Sequence, residues 1–303
     1  MRSVFTVSLL LSALAAAASG TAAASSYSKT FDKTVPAEST GVVEISNVSG
    51  EIEVTGSERA DVAVHAEMEA DVERVDVTSD HGRTVIKVVL PNHTSNCHCE
   101  ARLRVQVPKG SEVNVTAVSA DLRVSGVAGT QRLSTVSGDA STEVFGSDLE
   151  LKSVSGDVHV KGHGQTARLH LTTVSGDVHL EHGAGDLEAS SVSGSLVLTL
   201  DSAGAVRTRT TSGDVRFDGK LTKGANLDMS TVSGDLNVRA GIVGEGGFAY
   251  EVSTFSGDIS NCFKAPVNKS GPVGQSLSGT RGDGSGHVRL KTMSGDVQLC
   301  DRS

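Results

Sequence analysis

Apolar and polar residues alternate along most of the chain, and a Ser-Gly-Asp tripeptide interrupts this alternation at regular intervals. The pattern is clearest in the frame formed by Leu169, Leu171 and Val174 before one tripeptide and Val178 and Leu180 after it. Further copies of the frame are Leu149, Leu151, Val154, Val158 and Val160, and Leu227, Met229, Val232, Leu236 and Val238. A period of two predicts short, half-buried strands on either side of a tight bend, and it excludes helix.

The tripeptide marks an internal repeat. Its copies begin at Ser119 and are spaced 18 to 23 residues apart, with one final step of 38. Because two short strands alone are marginal in water, the copies are expected to stack at about 4.8 Å and share one core. The sequence therefore predicts an all-β parallel solenoid, or β-helix, with coils of roughly 18 to 23 residues. The predicted turn residues are Gly138, Asp139, Gly156, Asp157, Gly176, Asp177, Gly213, Asp214, Gly234, Asp235, Gly257, Asp258, Gly295 and Asp296.

The repeats do not cover the whole chain evenly. Residues 25–110 alternate less regularly, although they contain Ser49-Gly50-Glu51, and they are predicted to form N-terminal β layers that cap the solenoid of residues 111–303. A separate small β domain is the alternative. Residues 263–286 are rich in Gly, Ser and Pro and show no alternation, which predicts a surface loop insertion.

The N-terminus has the pattern of a signal peptide. Arg2 precedes an apolar run at 4–18, and Ala22-Ala23-Ala24 offers a cleavage site before Ser25. The run is shorter than the roughly 20 residues that a spanning helix needs. Residues 1–24 are therefore predicted to be removed from an exported protein without a transmembrane segment.

Charge and composition narrow the range of partners. The net charge is −9, aromatic residues make up 3% of the chain, and tryptophan is absent. A basic footprint for phosphates and aromatic platforms for bases or sugars are both missing, so nucleic acid is not expected as a partner.

The four cysteines form two sets in a chain that is predicted to reach an oxidising compartment. Cys262 and Cys300 each lie four residues after a turn aspartate, so they occupy equivalent places in neighbouring coils and are predicted to form a disulfide. Two buried free thiols are the alternative. Cys97 and Cys99 flank His98, with His93 nearby, and predict a local disulfide; a zinc or copper site is the alternative.

The turn aspartates should form a column with one carboxylate on each coil. The main interpretation is that they cap turn N–H groups and face water; calcium binding is the alternative. His159 and His179 should stack on the outer face. Together with Asp157 and Asp177 they are weak metal candidates, and no cofactor is predicted.

Three stretches of the chain resemble a known bacterial family of unknown function. They are the segments 45–52 (ISNVSGEI), 105–110 (VQVPKG) and 293–297 (MSGDV). The family's members are labelled as candidate adhesins and repeat a Ser-Gly-Asp-Val unit, and the resemblance covers nearly all of the predicted mature chain. The segment 254–262 (TFSGDISNC), with Leu299-Cys300, is similar to a subgroup typical of Gram-negative envelopes. The resemblance implies a β-solenoid and an envelope location, and it carries no established activity.

The acids and histidines recur with the repeat, so no irregular cluster indicates catalysis. The predicted function is a non-enzymatic scaffold or adhesion surface in the periplasm or on the cell surface of a Gram-negative bacterium. Its partner would be an unidentified envelope protein or glycan. Two alternatives stay open. One is a polysaccharide-active β-helix enzyme, which would need a groove of non-repeating acids and bases. The other is an envelope-stress or signalling module that binds a partner protein through the solenoid flank.

Overall fold

The protein is an all-β molecule in which 22 strands belong to one sheet. The computed structural model describes residues 27–91, 97–269 and 273–302. The predicted signal peptide at 1–24 and His93 lie outside the described residues. Within those residues the chain forms no helix, and accordingly none that could cross a membrane.

The strand bounds follow the alternation closely. The first eleven strands are β1 (Lys29–Pro36), β2 (Val42–Ser57), β3 (Asp61–Met68), β4 (Arg74–Asp80), β5 (Arg83–Val89), β6 (Ala101–Pro108), β7 (Glu112–Ser125), β8 (Gln131–Ser137), β9 (Ala140–Val144), β10 (Leu149–Ser155) and β11 (Val158–Gly162). The remaining strands are β12 (Ala167–Ser175), β13 (Val178–Ser193), β14 (Leu196–Ser212), β15 (Val215–Ser233), β16 (Leu236–Ile242), β17 (Phe248–Ser256), β18 (Ile259–Asn261), β19 (Asn268–Lys269), β20 (Gln275–Arg281), β21 (Gly286–Ser294) and β22 (Val297–Asp301).

Equivalent residues of successive repeats lie directly above one another. In the parallel pair β10 and β12, Leu149 is opposite Leu169 and Leu151 is opposite Leu171. After the turn, Val158 of β11 is likewise opposite Val178 of β13. The inward-facing leucines and valines of all repeats thereby merge into one continuous core. We use the term rung for the two strand segments that flank one repeat turn.

The stacking order of the rungs departs from their order in the chain. Ser233 pairs with Ser294, and Ser294 pairs in turn with Ser256. The C-terminal strand β21 therefore lies between β15 and β17, and β22 lies between β16 and β18. The order of the repeats in the chain predicts that the C-terminal coil is the exposed last coil, and this prediction is wrong. The end rung is formed by β17 and β18.

The segment 263–286 is only partly the surface loop that was predicted. It contains β19 and β20, and β20 runs antiparallel to β17 with Val252 opposite Leu277. Leu277 is buried, so this strand adds a side chain to the core and covers the outer edge of the end rung. A single buried position among small polar residues leaves no alternation in the sequence, which is why the strand was missed.

The N-terminal strands continue the same sheet. Strand β2 pairs in parallel with β7 on one side and with β5 and β6 on the other. Antiparallel pairs β1–β3, β3–β6 and β4–β5 close this end. The Lys29 ammonium donates to the carbonyls of Ala70 and Val72 at 2.7 and 2.9 Å, and Lys33 donates to Val77 at 2.7 Å. Lysines on edge strands of this kind block further strand pairing.

Candidate binding surface

The repeat turns stack glycine on glycine. Gly156 and Gly176 have φ values of +124° and +138°, a region that residues with a Cβ rarely adopt. A Cβ on Gly176 would lie only 2.2 Å from the carbonyl oxygen of Gly156. Each turn therefore sits in direct contact with the turn of the neighbouring rung. The side chains on both sides of the turn are held in straight columns along the molecule.

The turn aspartates are joined from rung to rung by hydrogen bonds. The N–H of Asp157 donates to Oδ1 of Asp139 at 2.8 Å, and the N–H of Asp177 donates to Oδ1 of Asp157 at 2.9 Å. The same bond joins Asp139 to Asp121, Ser195 to Asp177, Asp235 to Asp214, Asp296 to Asp235, and Asp258 to Asp296. We call this column the aspartate ladder. Its carboxylates accept backbone N–H groups, as turn caps do.

The weak metal candidates occupy neighbouring columns. The rings of His159 and His179 are stacked, with centroids 5.1 Å apart. The carboxylates of Asp157 and Asp177 already accept backbone N–H groups. Across residues 27–91, 97–269 and 273–302, no three His, Cys, Asp or Glu side chains are grouped to hold a metal ion. The repeat alone therefore accounts for the positions of these four residues.

The valine that precedes each turn faces solvent, and this corrects the sequence interpretation. Val154, Val174 and Val232 were placed in the apolar frame of the core, but they are 44%, 44% and 48% exposed. Their neighbours Leu171 and Thr173 are buried. Along β12, the odd-numbered residues Leu169, Leu171 and Thr173 face the core, whereas the even-numbered Val174 faces solvent. Whether a residue is in phase with the buried leucines was therefore the sequence signal that could have predicted these exposed positions.

These outward residues lie in one column along the molecule. Val154 and Val174 lie between the pairs Ser153–Thr173 and Ser155–Ser175, so they are stacked on adjacent rungs. Nine large apolar side chains, each 42–61% exposed, occupy this position along the molecule. In stacking order they are Val48, Val118, Val136, Val154, Val174, Val192, Val232, Met293 and Phe255. We call this column the apolar stripe. Thr211 fills the seventh of its ten rungs.

The two edges of the apolar stripe differ in charge. Two residues before the stripe, the outward side chains are serine, threonine, or the cations Lys152, Arg209 and Lys291. We call this column the basic edge. Three residues after the stripe lies the aspartate ladder. None of the ladder's carboxylates forms an ion pair with a basic side chain within the described part of the chain.

A second outward column, beyond the basic edge, alternates between basic and acidic residue types. In stacking order it reads Arg132, Glu150, His170, Glu188, Arg207, Asp228, Arg289 and Glu251. Nδ1 of His170 lies 3.5 Å from a carboxylate oxygen of Glu188, and Arg289 lies 3.1 Å from Glu251. A hydrogen bond from the Lys152 ammonium lowers the pKa of the Glu150 carboxyl.

This charged column lines one of the surface grooves of the molecule. The groove has a volume of about 410 Å³ and includes His170, Glu188, Arg207 and Asp228. Its acids and bases belong to the repeating column, and each acid has a basic residue as a neighbour in register. The polysaccharide-enzyme alternative requires acids and bases outside the repeat pattern, whereas this groove is lined by acids and bases of the repeat.

The cysteines are joined in two disulfides, Cys97–Cys99 and Cys262–Cys300. The Cα atoms of Cys262 and Cys300 are 4.8 Å apart, the spacing of adjacent rungs. The N–H of Cys262 also donates to the carbonyl of Leu299. This disulfide therefore connects the end rung to the interposed C-terminal strand β22.

Removing the Cys262–Cys300 bond is expected to lower the melting temperature. The bond spans 38 residues, and closing a loop of that size stabilises a fold by about 2–4 kcal/mol. The test is thermal unfolding of Cys262→Ser/Cys300→Ser, followed by circular dichroism. The control is Cys97→Ser/Cys99→Ser, because that bond spans two residues and constrains the unfolded chain far less. Equal melting temperatures for the two double variants would contradict this expectation.

Fold and surface together define a solenoid-like repeat protein with a long exposed apolar stripe. The family model described as Toastrack DUF4097 matches residues 24–203 and 185–300. The chain therefore belongs to the Toastrack DUF4097 family, whose fold is solenoid-like. No curated protein matches the chain.

Several solved bacterial structures are similar over most of the chain. A candidate adhesin from Bacteroides fragilis is 10% identical, with a TM-score of 0.49, and the match covers 89% of this chain and 97% of that one. A candidate adhesin from Parabacteroides distasonis is 14% identical, with a TM-score of 0.33 and coverage of 90% and 97%. A candidate lipid-binding protein from the same species is 10% identical, with a TM-score of 0.34 and the same coverage.

Proposed function

We propose that this protein is a non-enzymatic, exported envelope protein that binds its partner through the apolar stripe. The observation that carries the proposal is the stripe itself, in which nine large apolar side chains are 42–61% exposed in one column. The nine steps of about 4.8 Å between its ten rungs make the stripe about 43 Å long. Soluble proteins rarely expose a continuous apolar patch of this size unless something binds there.

The stripe is well suited to binding by area. Complete burial of an apolar side chain contributes about 1.5–3 kcal/mol, so covering the exposed half of nine such residues would contribute roughly 10 kcal/mol. The stacked backbone already fixes these side chains, so little flexibility is lost on binding. The stripe contains one aromatic residue, Phe255. This favours an apolar protein surface over a glycan, since glycans bind best on aromatic platforms.

Export is supported by the N-terminal pattern and by the cysteines. The apolar run at 4–18 ends in Ala22-Ala23-Ala24, and both cysteine pairs are disulfide-bonded. Disulfides persist in the periplasm and outside the cell. We place the mature protein, beginning near Ser25, in one of these two compartments of a Gram-negative bacterium.

The N-terminal layers act in this proposal as the cap of a solenoid built from coils of 18 to 23 residues. Their support is the antiparallel closure at β1, β3 and β4, together with the lysine contacts of β1. A capped solenoid does not lengthen by adding strands at its end. Its flank, where the stripe lies, is then the surface that is left for binding.

The experiment compares binding of the purified mature protein and its variants to envelope extracts. Val136→Lys/Val174→Lys places charges on two stripe positions that are 45% and 44% exposed, so the fold should tolerate them. We expect at least about a tenfold loss of affinity, the equivalent of 1.4 kcal/mol. The matched control is Val243→Lys, at a valine that is 43% exposed and lies outside the stripe.

Two results would contradict the proposed function. One is binding that is unchanged in Val136→Lys/Val174→Lys or equally weakened in Val243→Lys. The other is glycan turnover by the purified protein that is abolished when a single outward acid, such as Glu188, is replaced with glutamine. The second result would favour the enzyme alternative.

A further inference from the structure

We propose that the apolar stripe binds the apolar stripe of a second copy of this chain, with the two solenoids side by side and parallel. The inference rests on the proposed function and names the partner of that same surface. Three properties of the stripe carry it: the spacing of its side chains, the charge of its edges and its area.

The spacing of the stripe matches a second stack of rungs. Adjacent stripe residues are one rung apart, about 4.8 Å along the molecule. An extended peptide presents same-face side chains about 6.6 Å apart, and a helix presents them one turn apart, about 5.4 Å. Either would lose register with the stripe within a few rungs. Stacks with the same 4.8 Å repeat stay in register along their whole length, as paired sheets do in steric zippers.

The charges select a parallel arrangement. Lys152, Arg209 and Lys291 form the basic edge, and the remaining outward residues of that column are serines and threonines. The aspartate ladder forms the other edge, and its carboxylates have no basic partner within the described residues. A twofold axis parallel to the stripe places the basic edge of each copy over the aspartate ladder of the other. An antiparallel pair would place like charges together, which is unfavourable.

The area is sufficient for a weak dimer. The stripe with its two edges is about 43 Å long, from nine steps of about 4.8 Å, and about 16 Å wide, from five steps of about 3.3 Å. The resulting face of roughly 700 Å² per copy lies just below the ~800 Å² of a standard interface. Dissociation in the micromolar range is therefore expected. Of the three cations, Lys152 lies 2.5 Å from Glu150 and Arg209 lies 4.0 Å from Glu188 of the same chain, whereas Lys291 forms no ion pair within the described residues.

The first test is sedimentation equilibrium of the mature protein across micromolar concentrations. We expect a monomer–dimer equilibrium for the wild type and for Val243→Lys, and a monomer for Val136→Lys/Val174→Lys. A wild-type protein that stays monomeric throughout this range overturns the inference. So does a dimer that persists in Val136→Lys/Val174→Lys.

The second test determines the orientation. All described cysteines are disulfide-bonded, so an added cysteine is the free thiol to be followed. In a parallel pair, residue 136 of one copy meets residue 136 of the other, so Val136→Cys is expected to form a covalent dimer on mild oxidation. In an antiparallel pair with full overlap, Val136 on the third rung would meet Val232 on the eighth. Cross-linking that requires a mixture of Val136→Cys and Val232→Cys overturns the parallel arrangement.

The two proposals fail in different ways. A monomeric wild type whose envelope binding is still lost in Val136→Lys/Val174→Lys overturns self-pairing and leaves the proposed function standing. Dimerisation that is lost in Val136→Lys/Val174→Lys supports the inference. If envelope binding is unchanged in the same variant, the stripe has no additional envelope partner.

Discussion

Replacing Gly194 with alanine is expected to unfold the middle of the solenoid. Gly194 has a φ of +133°, and a Cβ there would lie 2.2 Å from the carbonyl oxygen of Gly176 on the neighbouring rung. That oxygen belongs to the backbone and cannot move without separating two rungs. We expect a loss of more than about 4 kcal/mol, a large part of the stability of a typical domain. Soluble yield and circular dichroism would measure it.

A matched control separates the close approach from the backbone conformation. Gly224 also has a positive φ of +74°, but a Cβ there would meet no atom within 4 Å. Gly224→Ala is expected to cost only about 1–2 kcal/mol, the ordinary penalty for a left-handed residue. Similar melting temperatures for Gly194→Ala and Gly224→Ala would contradict the role of glycine stacking.

One rung has alanine at the glycine position. This residue is Ala120 on the second rung, where β7 continues through the turn position and the φ of Ala120 is not positive. An alanine is therefore accommodated only where the backbone does not need the glycine conformation.

Replacing Leu290 with aspartate is expected to detach the last rungs while the rest of the solenoid stays folded. Leu290 is fully buried in the interposed strand β21, opposite Met229 on one side and Val252 on the other. Loss of a buried leucine alone costs about 2–5 kcal/mol, and an unpaired buried carboxylate adds to this. Because each rung contacts only its neighbours, the damage should stay local.

Hydrogen exchange would measure this effect strand by strand. Amides of β17 and β21 are expected to lose protection in Leu290→Asp, whereas those of β10 and β12 keep theirs. The control is Lys291→Ser, which alters an exposed side chain on the same strand and should leave protection unchanged. Uniform loss of protection across all strands would contradict the interposed position of β21.

The repeat could be predicted from the sequence because backbone pairing and side-chain parity act locally. A period of two around Leu169 and Leu171 fixes the strands, and the glycine of each turn fixes the bend. The exposed stripe was missed because Val174 was assigned to the core by its chemistry, although its parity along β12 points outward. Apolar character alone cannot distinguish a core position from a binding position; the phase of the alternation can.

The order of the last rungs could not be predicted in the same way. The frames before Ser256 and Ser294 carry the same inward pattern, so either can stack on Ser233. The choice depends on β20, which returns antiparallel over β17 and leaves β21 free to enter on the other side. That return is encoded by residues with almost no alternation, and only tertiary packing determines it.

The interposed strand β21 also constrains the order in which the strands can join the stack. Winding from the first strands onward can proceed coil by coil as far as β16, but β17 then has no neighbour on its inner side until β21 and β22 have been synthesised. A chain still emerging from the ribosome would hold an open gap between β15 and β17. Strands β21 and β22 close that gap, and the disulfide from Cys300 to Cys262 can fix them there only after they have entered it.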